Sequence, residues 1–169
     1  MSNVKLLTIK KYNRKQAKDY ALKYALKRNI KYFNYDNIGG NCTNFVSQCL
    51  FAGAPVMNYS KNGWYYISPS NTSVSWANVE PLHNFITTNS SVGIFGKVSP
   101  MQMCEIGDII QLKFRGKSNF SHSLVITNVT GLADKNIFVC ANTRDAKNVP
   151  LSNYSYEKIR LIHILGYRS

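Results

Sequence analysis

The stretch GGNCTNFVSQCLFAG (39–53) constrains this chain more than any other. Paired glycines take backbone angles that other residues resist. Asn41 is then placed to cap a helix whose first residue is Cys42. Phe45, Val46, Cys49 and Leu50 recur at helical spacing and predict the buried face of a short amphipathic helix, which Gly53 ends. The result is a thiol at the positive end of a helix anchored in a core. First-turn N–H groups and aligned peptide dipoles stabilise an anion there, which is what a nucleophilic thiolate needs. Such a cysteine is catalytic only with a base, usually a histidine from another element, and a third group that orients the base. Without them it is one more small core residue.

The 169 residues suffice for one domain, 1–169, with a hydrophobic core, and 44% hydrophobic content excludes a disordered chain. Lysine and arginine number 21 against eight acids, a net charge of +13. That balance implies an anionic partner, whether nucleic acid, an acidic membrane face or a cell-wall polymer, or else a solubilising surface. No stretch is long and apolar enough to span a membrane, and MSNVKLLTIKKYNRK lacks the apolar run and cleavage site of a signal peptide. Localisation is left open between the cell wall or exterior and the cytoplasm. The cysteines, at 42, 49, 104 and 140, lack the close pairing of zinc or redox motifs and are expected to be reduced, with Cys49 and Cys140 in the core.

Residues 1–12 form a basic lead-in, and Asn13 caps a helix to about residue 29. Ala17, Tyr20, Ala21, Tyr24 and Ala25 make its apolar stripe, and lysines cover the other faces. The aromatic loop 30–40 brings Tyr32 and Tyr35, either of which could point a hydroxyl at Cys42 or simply pack. Trp64, Tyr65 and Tyr66 interrupt a loop-rich region, 54–75, as a cluster that walls a substrate cleft or covers the core. Ser75 caps a second helix, from 76 to about 87, and a glycine-containing linker follows. From Ile106 the period changes to two. DIIQLKF, SHSLVITNV, IFVCANT (137–143) and KIRLIHILGY (158–167) read as strands, with Leu124 and Ile126 on the face of His122 and Val125 and Val129 on the other. Helices followed by an antiparallel meander predict an α+β fold.

His122 opens a strand, and strand starts lie at a sheet's rim, where an imidazole can meet a helix N-terminus and take a thiol proton. His163 lies mid-strand among apolar residues and reads as core. Asn142 ends a strand that could neighbour the one begun by His122, and its amide oxygen could fix the imidazole tautomer; Asp145 is the competing orienter. The Cys42 N–H, with a donor from the preceding loop, would hold the developing oxyanion.

With these residues in hand, the chain resembles the amidase-domain family within the NlpC/P60-like, papain-like cysteine peptidase superfamily. GGNCTNFVSQCL matches that family's GG-Asp-Cys-Thr-Asn-Phe-Val-Ser-Gln-Cys-Leu run except at Asn41. YNRKQAKDYALKYAL, SWANVEPL, IGDIIQL and the His-Ser of SHSLVIT add to the likeness, which covers nearly the whole chain. The resemblance implies a papain-like fold, Cys42 as nucleophile and His122 as base, with Asn142-Thr143 where the family usually has His-Thr. It implies cleavage of a peptide amide, in bacterial cell-wall peptides above all, through a thioester, with no metal or organic cofactor. The positive charge would fit anionic wall polymers. Alternatives are acyl transfer (transglutaminase-like) on the same fold, or a non-catalytic basic binding module for wall polymer or nucleic acid; no helix-turn-helix or RNP-like motif supports specific nucleic-acid binding.

Overall fold

A computed structural model describes residues 6–169. The elements run β1 (Ile9–Lys10), α1 (Arg14–Tyr24), α2 (Cys42–Gly53), β2 (Tyr66–Ser68), β3 (Asn71–Thr72), α3 (Val74–Ala77), α4 (Val79–Thr88), β4 (Gly93–Ser99), β5 (Ile109–Lys113), β6 (His122–Val129), β7 (Ile137–Ala141), β8 (Ala146–Pro150) and β9 (Lys158–Arg168). Seven strands form an antiparallel sheet in the order β1-β9-β5-β6-β7-β8, with β4 also on β9. The class is α+β, as the change of period predicts.

Asn13 caps α1 by accepting the Gln16 N–H at 3.0 Å. The helix ends at Tyr24, earlier than its apolar stripe implies, because the Asn142 amide takes the carbonyls of Tyr24 and Ala25. The single helix expected over 76–87 is two. Pro81 has no N–H to give to a carbonyl four residues back, so it is tolerated only in a first turn. The extended Asn78 (φ −127°) separates α3 from α4 and places Pro81 there. Ser75 consequently lies inside α3, where its hydroxyl donates to the Gly63 carbonyl. The expected linker after α4 is instead strand β4, paired along β9.

The sheet carries a core on each face. Phe45, Val46, Leu50, Trp64 and Trp76 meet Val125 on the helix side. Leu112, Leu124, Ile126, Val139 and Leu161 form the core on the other side, closed by Leu151. Val129 packs with this second core, not opposite it as strict alternation predicts. A bulge between Ile126 and Asn128 shifts the register, and a one-residue shift reverses every later side chain.

α2 is buried on all sides from Cys42 to Leu50 rather than amphipathic. Its polar residues stay inside because each has a partner. The Ser47 hydroxyl donates to the Trp76 carbonyl at 2.7 Å and accepts from the Trp64 indole at 3.0 Å. Asn44 accepts from the Trp76 indole, and Gln48 from the Tyr20 hydroxyl.

Candidate active site around Cys42 and His122

Gly39 and Gly40 have φ of +88° and +103°, where a side chain is strained. They turn the chain so that the Asn41 carbonyl accepts the first helical bond of α2, from Phe45 N–H at 2.9 Å. Asn41 occupies the N-cap position but makes no side-chain cap bond. Its amide oxygen accepts from Tyr35 N–H (3.1 Å) and Asn44 Nδ2 (2.8 Å), and its amide nitrogen donates to Asn142 Oδ1 (3.0 Å). Among the described residues, no side chain therefore caps the N–H groups of the turn that begins at Cys42.

Thr43, next to the thiol, shares a 3.1 Å hydrogen bond with Ser123, next to the imidazole. The first turn of α2 and the start of β6 thus abut. The His122 ring shares the sheet face of Leu124 and Ile126, away from the body of α2, and sits between Phe114 and Tyr154 with centroids 6.1 and 5.9 Å away. Its Nε2 is buried and has no hydrogen-bond partner among the described residues. The Cys42 sulfur contacts Thr43 Oγ1 at 3.8 Å. No thiol–imidazole hydrogen bond forms in the resting chain; catalytic hydrogen bonds in apo sites often tighten only on substrate binding. Burial, and after it the charge of Arg144, push the His122 imidazole down to about 4. It is therefore neutral at pH 7, the form that accepts a proton.

Both expected orienters are engaged elsewhere. Extending the Val125–Cys140 register sets Asn142 opposite Ser123, on the helix side of the sheet and off the imidazole's face. Its oxygen accepts from Asn41, and its nitrogen donates to the carbonyls of Tyr24 (3.3 Å) and Ala25 (3.0 Å). Asp145 accepts two bonds from Arg28, at 2.8 and 3.1 Å. Neither bonds His122 among the described residues. Asn142 instead ties the turn before Cys42 to the end of α1.

Trp64 is wholly buried, 5.0 Å from the Trp76 ring, so it is core and not a cleft wall. Tyr32 is half-buried and stacks on Trp76. The Tyr35 hydroxyl is buried without a partner among the described residues, and burial pushes it up, so it remains a donor. His163 is buried but not apolar in its contacts, since its Nδ1 meets Asp108 at 2.7 Å. Burial pushes the thiols of Cys49, Cys104 and Cys140 up.

The sequence reading sets Asn142 before a turn and Asp145 in it, but misses strand β8 and the parts that Thr143 and Arg144 play in that turn. Thr143 Oγ1 accepts the Asn41 N–H at 2.6 Å and donates to Asp36 at 2.8 Å, while Arg28 joins Asp36 to Asp145. Thr143 and Arg144 both have positive φ, 56° and 63°. The available signal was a four-residue stretch without glycine between two strands, where such turns favour Asn-Gly. A cavity of about 170 Å³ beside the turn is lined by Phe114, Ser121, His122, Thr143, Arg144 and Tyr154. A larger one, about 440 Å³, lies among the serines and asparagines of 58–91 and touches none of the candidate residues.

The model of a family described as a putative amidase domain matches residues 11–165. The chain belongs to that family. Two relatives of this amidase-domain chain come from Bacillus subtilis (strain 168). The uncharacterized protein YhbB is 32% identical over 146 residues, which are 84% of this chain and 40% of the relative. The uncharacterized protein YjcM is 27% identical over 150 residues, 85% of this chain and 34% of the relative. The amidase-domain chain thus spans well under half the length of either relative. No solved structure matches it. Among the described residues, no helix is long and apolar enough to cross a membrane.

Proposed function

We propose that this chain is a cysteine-dependent amide hydrolase of the papain-like, NlpC/P60-like kind, acting on peptides of the bacterial cell wall. One observation carries the reading. Among the described residues, the buried imidazole nitrogen of His122 has no partner, and the next residue of β6, Ser123, hydrogen-bonds Thr43 beside Cys42. An unpaired buried polar atom costs roughly 1–3 kcal/mol and calls for an explanation. A base waiting for a thiol proton supplies one, and the family's description names the reaction class.

In this reading Cys42 Sγ attacks the amide carbonyl carbon while its proton passes to His122. The carbonyl electron pair moves to oxygen, where the Cys42 N–H and a donor of the preceding loop hold the charge. Collapse expels the amine, which takes the proton from the imidazolium and leaves a thioester. Water then attacks the thioester carbon and gives a proton to His122. The thiolate departs from the acid product and recovers that proton. Asn142 acts through Asn41 as a positioning residue. The net charge of +13 supports attraction to anionic wall polymers.

Incubation with purified peptidoglycan, followed by mass analysis of released fragments, tests the reading. Fragments with a new carboxyl terminus are expected from the intact chain and none from Cys42→Ala. Equal release by both would overturn it, and fragments joined to an added amine would identify acyl transfer instead.

A further inference from the structure

Three of the four side chains in the turn 142–145 are spent on the protein itself. Asn142 and Thr143 hold Asn41, and Asp145 pairs with Arg28. Arg144 is exposed and makes no hydrogen bond or ion pair among the described residues, yet it lines the small cavity with His122, Phe114 and Tyr154. No acidic side chain is left over for it: all eight aspartates and glutamates have other partners. Its backbone adds a second argument. Thr143 and Arg144 occupy the left-handed region that glycine or asparagine fills in most two-residue hairpin turns. Backbone strain of this kind persists where surroundings over-determine it, and it concentrates at functional sites.

We propose that Arg144 determines the specificity of this site by binding a carboxylate that the substrate carries beside its scissile amide. The guanidinium's planar fork matches a carboxylate with two parallel hydrogen bonds. Phe114 and Tyr154 offer apolar walls for the carbons between the two groups. A cavity of about 170 Å³ accommodates a carboxylate with a short carbon stem. This inference rests on Cys42 being the reactive thiol of the hydrolase reading above.

The test uses two alkylating agents of the same size and leaving group, iodoacetate and iodoacetamide, with the site of modification read by mass spectrometry. In the intact chain, the rate at Cys42 with iodoacetate relative to iodoacetamide should exceed that in Arg144→Gln by about tenfold, the worth of a charge-assisted pair. Arg144→Lys should fall between them. Lys97→Gln, which removes one exposed charge from β4, should leave the ratio unchanged. An equal ratio in the intact chain and Arg144→Gln overturns the carboxylate site and leaves the hydrolase reading standing. Failure of both agents to modify Cys42 overturns the hydrolase reading itself.

Discussion

His122 is held neutral at pH 7 because burial, and then Arg144, push its imidazole from 6.5 down to about 4. As pH falls, the unfolded chain takes up this proton near 6.5 and the folded chain only near 4, so the unfolded state binds more protons between them. The group's contribution to stability is full above about 6.5 and is lost as pH falls toward about 4, a loss on the order of 3 kcal/mol. Urea unfolding from pH 7.5 to 4 should therefore show a steeper loss in the intact chain than in His122→Gln. Identical slopes would mean that the imidazole is not held neutral. Arg144 makes the opposite kind of demand. Its φ of 63° suits glycine, so Arg144→Gly should raise stability by about 1 kcal/mol while lowering the iodoacetate-to-iodoacetamide ratio at Cys42 as Arg144→Gln does. A lower melting temperature in that variant would show that the turn is not strained there.

At the scale of elements, α2 separates what periodicity can say from what it cannot. Its start, its end and the apolar positions Phe45, Val46, Cys49 and Leu50 follow from local chemistry, and all are found. That its polar face is also buried depends on Trp64, Trp76 and Tyr20, which arrive from distant segments, and no period records such partners. The same limit explains the site. Cys42 at a helix start and His122 at a strand start are local facts and were legible. The partners of Asn142 depend on which face of β7 meets α1, which only the register decides. Pro81, by contrast, was a local signal for the break before α4. The buried face of α2 carries its own prediction. Ser47→Ala leaves the Trp64 indole N–H and the Trp76 carbonyl without the partner they share. It should cost about 1–3 kcal/mol in urea unfolding, well above an ordinary helix substitution toward alanine. A stabilising Ser47→Ala would mean that these groups find other partners.

The molecule as a whole is closed by one buried carboxylate. Asp108 has a fully buried side chain and accepts from Arg14 Nη1 (2.7 Å), the Ile164 N–H (3.0 Å) and the Glu105 N–H (2.9 Å), with His163 Nδ1 at 2.7 Å. Arg14 in turn donates to the carbonyls of Ile106 and Ile164. The start of α1, the entry to β5 and the middle of β9 are thereby joined, although Arg14 lies 94 residues from Asp108 and 150 from Ile164 in sequence. Removing Asp108 leaves the Ile164 and Glu105 N–H groups without their acceptor, and leaves Arg14, partly exposed, with Glu105 at 2.8 Å as its remaining counterion. Asp108→Ala should accordingly lose about 3–5 kcal/mol and unfold cooperatively across helices and sheet alike. Arg14→Met combined with Asp108→Leu should lose clearly less than Asp108→Ala alone, since apolar side chains then refill the site and no half-paired guanidinium borders it. Urea midpoints read by far-ultraviolet circular dichroism and by tryptophan emission decide it. Trp64 and Trp76 report the helix-side core, so coincident loss of both signals is expected if Asp108 fastens the two layers together. Should the double variant fall as far as the single one, the cost lies in the lost hydrogen bonds to Ile164 and Glu105 and not in the half-paired guanidinium.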